Sequence, residues 1–277
     1  AAAQGGESVV ITFHPHPRLV LRPDGPSLAL LQSLDEKLER LDQMGISKTL
    51  VIPFTREFAA WSGTDFIHRV LAATVRARRV VIGYDHRFGS GRDGGLEALR
   101  AEGPALGFEV EEIPAQAIDD ATVSSTKIRR ALEAGAVAEA ARLLGYPYTL
   151  AGKVVRGRQL GRQLGFPTAN LAPDEPRKLL PADGIYAVSV HRRGAPPRAG
   201  ALSIGTNPTV GEGGPRTAEV YILDFSEEIY GQPLTLRFHA RLREHTRFDG
   251  LEPLKAQMAV DVAQVRALAA QPGFLEP

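Results

Sequence analysis

The sequence predicts two domains of different fold class: an α/β domain with a Rossmann-like parallel sheet, then a small antiparallel β-barrel with a covering helix. In the first half, short β-branched runs alternate with helical segments, which is typical of a doubly wound parallel sheet. In the second half, strands follow one another across Gly, Pro and Asn turns with little helix, which favours a barrel. We therefore expect domains at residues 1–146 and 147–277.

The first domain has four apolar runs that are predicted to be strands, at residues 8–13, 49–53, 80–83 and 108–113. Helical patterns lie between and after them, at about residues 34–44, 64–77, 96–106, 124–134 and 137–144. Ligands of parallel sheets bind beyond the carboxyl ends of the strands. His14 and His16 follow the first strand, and residues 83–89, with Asp85 and Phe88, follow the third.

The second domain is predicted to contain strands at residues 148–156, 184–193, 199–204, 216–223 and 234–242. In the last of these, alternation places five apolar side chains on one face: Leu234, Leu236, Phe238, Ala240 and Leu242. A final helix carries an apolar stripe that we expect to cover the barrel, formed by Leu251, Leu254, Met258, Val262, Val265 and Leu268.

Composition excludes several classes of protein. The net charge of +1 over 277 residues provides no overall basic field for nucleic acid. The absence of cysteine excludes disulfides and thiolate metal sites, and suits a reducing cytoplasm. No run of 18 apolar residues is present, so we expect no membrane partner, and the first six residues do not form a signal peptide. The sequence leaves a homo-oligomer open.

A glycine-rich basic stretch covers residues 152–170. Its glycines are Gly152, Gly157, Gly161 and Gly165, and its bases are Lys153, Arg156, Arg158 and Arg162. Glycine lets the backbone approach a ligand closely, and successive N–H groups beside positive charge form a concavity for anions. The stretch therefore predicts a phosphate site, although a basic surface loop between two strands has the same composition.

The stretch ends in two polar side chains beside Pro167. The Thr168 hydroxyl and the Asn170 amide supply oxygen atoms of the kind that Mg²⁺ accepts alongside phosphate oxygens. These residues therefore predict a site for a nucleotide phosphate and a metal ion.

Glu219 lies within an apolar strand and shares a face with Tyr221 and Leu223 by alternation. A carboxylate beside a phosphate-binding loop could take the proton from an attacking hydroxyl, although a solvent-facing strand residue would show the same pattern. The familiar kinase motifs G-x-x-x-x-G-K-[ST], H-R-D and D-F-G are absent.

Hydroxyl side chains begin the helix that follows the first domain's strands. Ser124, Ser125 and Thr126 precede Arg129, and helix N-termini bind phosphate through their N–H groups. An ordinary Ser/Thr cap is the alternative interpretation. His14 and His16 could form a metal pair, but no third ligand stands nearby, so contact with a nucleotide is favoured.

Taken together, the motifs resemble a known family. Residues 155–170, with their ending Leu-Gly-Phe-Pro-Thr-Ala-Asn, resemble the riboflavin kinase module, and residues 204–209, 218–225, 230–231 and 243–249 follow in that family's order. Residues 12–17, 83–89 and 123–129 are similar to the adenylyltransferase half of the bacterial bifunctional enzyme. The resemblance covers nearly the whole chain.

The resemblance implies a nucleotidyltransferase-type first domain and two reactions: riboflavin and ATP give FMN, and FMN and ATP give FAD and pyrophosphate. It implies ATP with Mg²⁺ as cofactor, the metal held by Thr168 and Asn170, and Glu219 as the base acting on the ribityl 5′-hydroxyl. The implied ATP contacts of the kinase are Gly152, Lys153, Gly157, Gly161, Arg162, Phe166, Thr168 and Asn170. The implied flavin contacts are Asn207, Arg243 and Phe248.

In the adenylyltransferase half, the resemblance implies contacts with ATP or FMN from His14, His16, Asp85, Phe88, Ser124, Ser125, Thr126 and Arg129. The family's first motif, G-x-F-D-G-x-H-x-G-H, is absent from the sequence, so we expect this half to be incomplete at its N-terminus and FAD to form if the full protein contains that motif. His86 and His245 also depart from the family pattern.

Two other functions remain open on the sequence. A small barrel with a basic glycine-rich arm could bind single-stranded nucleic acid, although Phe166 is the arm's one aromatic residue. A flavin-binding regulator without turnover is the third hypothesis. We expect a cytoplasmic enzyme whose partners are ATP, riboflavin and FMN.

Overall fold

In a computed structural model, the chain divides into two compact units. The first comprises Ala1–Leu28 and Lys37–Thr122, and the second comprises Ala29–Glu36 and Val123–Pro277. The structure describes residues 1–2, 5–25, 28–83, 86–113, 117–118, 121–157, 161, 164–206 and 216–276, with the backbone alone at 117–118 and 121–122.

Parallel strand pairs form the framework of the first unit. Strand β1 (Val9–His14) pairs with β2 (Lys48–Pro53), and β3 (Arg79–Gly83) pairs with β4 (Glu109–Ile113). A short antiparallel pair, β5 (Ala117–Ile118) and β6 (Ala121–Thr122), follows. The parallel pairing confirms the predicted α/β class. Within the described residues the strands form separate two-stranded sheets rather than one continuous sheet.

The helices of this part of the chain are α1 (Pro17–Leu21), α2 (Leu34–Gln43), α3 (Arg56–Ala59), α4 (Gly63–Phe66) and α5 (Leu96–Leu106). Three of them, α2, α4 and α5, begin within a residue of where the sequence predicts, whereas α1 and α3 were not predicted. The helix expected at residues 64–77 is instead α4 followed by a π-helical segment, Ile67–Val75. Helices and both parallel pairs share one core, in which Ile11, Ile67, Ile82 and Leu99 pack together.

A closed antiparallel barrel forms the second unit and confirms the predicted barrel. Its six strands follow the order β10-β11-β8-β7-β12-β9 around the barrel. They are β7 (Thr149–Val155), β8 (Thr168–Pro173), β9 (Gly184–His191), β10 (Arg198–Thr206), β11 (Arg216–Ile222) and β12 (Pro233–Arg243). Strand β8 is not predicted by the sequence, because its polar start and its flanking prolines hide the apolar alternation.

The alternation predicted for β12 holds for only half of that strand. Leu234, Leu236 and Phe238 are buried in the barrel core. The register shifts between Phe238 and Ala240 and again between Arg241 and Arg243. A bulge adds one unpaired residue and changes which face the following side chains occupy. Ala240 and Leu242 therefore pack on the outer face, and the prediction of one common face was wrong for them.

Two helices from residues 123–146 belong by contact to the barrel unit. Helices α6 (Ser125–Glu133) and α7 (Val137–Leu144) bury Ile128, Leu132 and Leu143 in the barrel's cluster. The sequence assigns these residues to the first domain because they follow the α/β pattern. The boundary near residue 146 stays a prediction.

Helix α8 (Leu251–Ala269) covers the outer face of the barrel, as predicted. Val262, Val265 and Leu268 pack against Ala187 and Ala199 of the strands. Leu251, assigned to the same stripe, is 65% exposed, because it lies in the first turn of the helix, beyond the packed face. In the part of the chain that the structure describes, no helix combines the length and the apolar character needed to cross a membrane.

Candidate active site

Strand register brings the candidate base and the candidate metal ligands together. Asn170 of β8 lies opposite Glu219 of β11, and Glu219 lies opposite Ser203 of β10. Two residues further along each strand, Thr168 lies opposite Tyr221. Opposite residues of an antiparallel pair project on the same face, with Cβ atoms about 5 Å apart. Glu219 is therefore a direct neighbour of the Asn170 and Ser203 side chains.

This row lies on the outer face of the barrel. Ala218, Val220 and Ile222, which alternate with Glu219 and Tyr221 along β11, are buried in the barrel core. Alternation along β11 therefore places the core side chains on one face of the strand and the candidate site residues on the opposite face.

Two glycines of the basic stretch are required by close contacts with the candidate metal ligands. A Cβ atom at Gly157 would lie 2.0 Å from Asn170 Nδ2. A Cβ atom at Gly161 would lie 2.2 Å from the Phe166 carbonyl oxygen and 3.3 Å from Thr168 Oγ1. The backbone at Gly157 and Gly161 therefore approaches Asn170 and Thr168 closely, where a side chain would occupy the space.

The other predicted members of the stretch lie in different surroundings. Phe166 contacts Tyr221 edge-on, with ring centroids 5.3 Å apart. Gly152 is buried within β7 against Ala172, and Lys153 is exposed on the same strand. Arg162 and Asn207 lie outside the described residues.

A cavity of about 260 Å³ opens beside this row, between the barrel face and α8. Its polar lining is formed by Thr168, Ser203, Glu219, Arg243, His245, Thr246 and Asp261. Its apolar lining includes Leu164, Tyr221, Phe248, Leu254, Met258 and Val262. The predicted flavin contacts Arg243 and Phe248 both belong to it. A cavity that is largely apolar with a few convergent polar groups is the usual form of a small-molecule site.

Three polar residues of this lining, Ser203, His245 and Asp261, add contacts that the predicted site residues did not include. His245 Nε2 donates to the Ile204 carbonyl oxygen at 2.8 Å and lies 3.5 Å from Ser203 Oγ. Ser203 reaches the cavity only through its pairing with Glu219, which no local pattern reveals. Asp261 interrupts the apolar stripe of α8 between Met258 and Val262, and this interruption is the signal that could have identified it.

A metal ion would depend on few protein ligands here. Among the residues that the structure describes, no three His, Asp or Glu side chains gather in a way that could hold a metal ion. The Thr168 hydroxyl and the Asn170 amide, in the space left by Gly157 and Gly161, suit a Mg²⁺ ion that arrives with phosphate oxygens.

In the first unit, the predicted site residues lie at the carboxyl end of the strands. His14 is exposed, and His16 Nδ1 accepts a hydrogen bond from Arg18 N at 3.2 Å, which caps α1. Phe88 lies 5.1 Å from Phe66 in an aromatic cluster that also contains Phe13, Phe54, Phe58 and Trp61. The sequence did not single out this cluster, because its members come from separate segments. Asp85 lies outside the described residues.

The hydroxyl residues before Arg129 belong to the second unit. Ser124 Oγ accepts from Lys127 N at 3.3 Å and caps α6, while Ser125 and Thr126 are exposed in its first turn. Arg129 donates to Ala29 O at 3.1 Å and to Ser125 O at 3.2 Å. The capping interpretation thus holds for Ser124, and the exposed hydroxyls remain candidates for phosphate contact.

Comparisons with known proteins give two family matches that together cover most of the chain. The riboflavin kinase family model matches residues 144–269, and the FAD synthetase family model matches residues 1–127. Curated relatives are similar along nearly the whole chain. The bifunctional riboflavin kinase/FMN adenylyltransferase of Pseudomonas fluorescens is 37% identical over 98% of this chain and 85% of its own length. That of Escherichia coli K12 is 36% identical over 93% of this chain and 81% of its own length.

A solved structure has the same fold. The crystal structure titled as a macrolide-efflux protein from Streptococcus pneumoniae is 32% identical, with a TM-score of 0.83. It covers 96% of this chain and 85% of that chain.

Proposed function

The chain belongs to the family of bifunctional riboflavin kinases and FMN adenylyltransferases, and from that premise we propose which residues carry the two reactions. Its function is the ATP- and Mg²⁺-dependent synthesis of FMN from riboflavin and of FAD from FMN. The observation that carries the site proposal is the pairing of Glu219 with Asn170 beside the cavity.

The cavity between the barrel face and α8 takes the flavin ring. Its apolar wall, with Tyr221, Phe248 and Met258, suits the ring's large aromatic surface, and Arg243 supplies hydrogen-bond donors. Glu219 opens on the same cavity, so the ribityl chain can reach its carboxylate. The role predicted for Asn207 stays part of the proposal.

Glu219 accepts the proton of the ribityl 5′-hydroxyl during phosphoryl transfer. The hydroxyl oxygen forms the new bond to the γ-phosphorus, the bond from that phosphorus to the bridging oxygen breaks, and ADP leaves. Mg²⁺, when bound with ATP, neutralises phosphate charge. Thr168 and Asn170 would hold it through their oxygen atoms.

The glycine-rich stretch covers the nucleotide. Gly157 and Gly161 bring their backbone close to Thr168 and Asn170, so N–H groups can face the phosphates that these side chains orient. Phe166, held against Tyr221, borders the same space. Gly152, Lys153 and Arg162 complete the proposed set.

For FMN adenylylation we assign ATP phosphate contacts to Ser125, Thr126 and Arg129, with Ser124 capping the helix. His14, His16, Asp85 and Phe88 lie near the nucleotide or FMN in the proposal. Support comes from the exposed hydroxyls in the first turn of α6, where helix N–H groups favour anions.

Small-molecule substrates and a cytoplasmic location complete the proposal, without a nucleic-acid partner. The chain contains no cysteine, which suits a reducing compartment. A gel-shift titration with single-stranded RNA at low salt tests whether the chain binds nucleic acid. Measurable affinity would support the hypothesis that the barrel is a nucleic-acid-binding module.

The basic experiment is incubation with riboflavin, ATP and Mg²⁺, followed by separation of flavins by chromatography. We expect FMN and then FAD to appear, and both to require Mg²⁺. If no FMN forms, the proposed kinase function is wrong. If FMN is supplied and no FAD forms, the second reaction is absent from this chain.

Replacement of Glu219 tests the proposed base. We expect Glu219→Gln to lower kcat for FMN formation by about 10²-fold or more, since a positioned base contributes roughly 10²–10⁴-fold. The KM values for riboflavin and ATP should change little, because glutamine keeps the shape. Glu228→Gln, an exposed carboxylate of the same unit, is the control and should leave kcat unchanged. A near wild-type rate for Glu219→Gln would remove Glu219 from the mechanism.

A further inference from the structure

Arg243 and Asp261 form a buried ion pair in the wall of the cavity. Arg243 Nε lies 2.9 Å from Asp261 Oδ1, and Nη2 lies 2.8 Å from Oδ2. Such paired bonds fix the plane of a guanidinium as well as its position. Asp261 is only 3% exposed, and Arg243 is partly exposed to the cavity.

Asp261 is held independently of Arg243. Gln257 Nε2 donates to Asp261 Oδ1 at 3.0 Å from the preceding turn of α8. A buried carboxylate that keeps two donors in place serves as a rigid support for the arginine. The helix thus carries the carboxylate, and the end of β12 carries the guanidinium.

A guanidinium has five N–H groups. In Arg243, two point to Asp261, and Nη1 donates a third to the Glu244 carbonyl oxygen at 3.0 Å. Among the residues that the structure describes, the two remaining N–H groups on the terminal nitrogens have no acceptor, which leaves them available beside the cavity. The guanidinium carbon also lies 5.8 Å from the centre of the Phe248 ring, which limits rotation of the plane.

We infer that Asp261 is the positioning residue for riboflavin, since it holds Arg243 so that its remaining N–H groups meet carbonyl oxygens on the ring edge of the flavin. This inference rests on the proposed function of the cavity. We assign Asp261 no contact with the reacting atoms, since it belongs to α8, whereas the proposed base Glu219 and metal ligand Thr168 belong to the barrel strands. Its removal should affect flavin binding and leave ATP binding unchanged.

Asp261→Asn is the direct test, measured by steady-state kinetics of FMN formation. We expect KM for riboflavin to rise roughly tenfold, the scale of one charge-assisted hydrogen bond, with kcat and KM for ATP within about twofold. The control is Asp224→Asn. Asp224 makes the same kind of bidentate pair with Arg266 of α8, at 2.6 and 2.8 Å, but does not line the cavity. It should leave KM for riboflavin unchanged.

A double-variant comparison separates positioning from general support of the fold. If Asp261 acts through Arg243, then Asp261→Asn should add little to the rise in KM that Arg243→Ala causes alone. Gln257→Leu is the milder variant if Asp261→Asn does not fold, with an expected rise of about threefold.

The outcomes are distinct. A wild-type enzyme that makes FMN, combined with an unchanged riboflavin KM in Asp261→Asn, overturns this inference and leaves the proposed function standing. Equal rises in KM for riboflavin and ATP, or an effect that simply adds to that of Arg243→Ala, would also overturn it. A wild-type enzyme that makes no FMN would instead overturn the proposed function.

Discussion

At the scale of single residues, two histidines on the outer barrel face share one buried hydroxyl. Ser189 Oγ lies 3.0 Å from His191 Nε2 and 2.9 Å from His239 Nε2. The His239 ring also stacks on Phe274, with centroids 3.9 Å apart. Burial lowers the pKa of both histidines to about 4, and the positive charge of Arg237 acts in the same direction.

These histidines should make stability depend on pH. Their pKa is about 4 in the folded protein and about 6.5 when unfolded, so the unfolded chain binds more protons between these values. The stabilisation is complete above pH 6.5 and is lost as the pH falls towards 4. We expect the melting temperature of the wild type to fall more steeply from pH 7 to 4.5 than that of His191→Gln/His239→Gln.

Because both side chains are partly exposed, the difference should be of the order of a few °C. Ser226→Ala, a change at an exposed side chain that does not titrate, is the control and should follow the wild-type curve. Parallel curves for the wild type and the double variant would show that the pair does not carry this dependence.

At the scale of elements, the glycine-rich stretch and strand β8 act as one unit. The stretch lies so close to β8 that Asn170 fills the space in which a Gly157 side chain would project. Its composition predicted a phosphate site from the sequence. That composition could not show that Thr168 and Asn170 begin a barrel strand, which aligns them with Glu219.

Gly157→Ala should therefore displace the Asn170 amide. We expect KM for Mg-ATP to rise roughly tenfold or more, because a displaced ligand weakens binding by at least about 1.4 kcal/mol. Gly91→Ala is the matched control, since a Cβ there meets nothing within 4 Å. An unchanged KM for Mg-ATP in Gly157→Ala would contradict the place we give to Asn170.

The sequence predicted most elements to within a few residues, because apolar periodicity follows directly from burial. It predicted Glu219, Arg243 and Phe248 as residues of one site, and all three line the cavity. It could not predict that Ser203 joins them, because the pairing of distant strands leaves no local pattern. It missed Asp261, although that residue interrupts the apolar stripe of α8.

At the scale of the whole molecule, the segment Ala29–Glu36 packs with the barrel unit, although the rest of that unit begins only at Val123. A buried ion pair between Glu36 and Lys178 anchors it, with side chains 6% and 2% exposed. Lys178 Nζ also donates to Leu31 O at 2.8 Å, and Ala151 N donates to Glu36 Oε1 at 3.2 Å. Burial lowers the pKa of Lys178, although Glu36 opposes that shift.

Lys178→Met should destabilise the protein strongly, because it leaves the Glu36 carboxylate buried without its cation. We expect a loss of about 3–5 kcal/mol in the free energy of unfolding, measured by urea denaturation. The double variant Lys178→Met/Glu36→Gln should recover part of that loss.

The control for this prediction is Lys48→Met. Lys48 pairs with Glu7 on the surface at 2.6 Å, with both side chains 62% exposed, so its loss should change stability by about 0–1 kcal/mol. Equal effects of the two lysine substitutions would show that the buried pair does not anchor the segment.

The two bulges of β12 also limit which sequence changes this strand can accept without moving Arg243. Between Phe238 and Arg243, β12 contains two more residues than the stretch of β9 it pairs with. Each surplus residue reverses the side on which the following side chains project. The position of Arg243 at the cavity is therefore set by the number of residues in β12. Substitution at the surplus positions preserves that number, whereas deletion of one residue would carry Arg243 to the opposite side of the strand.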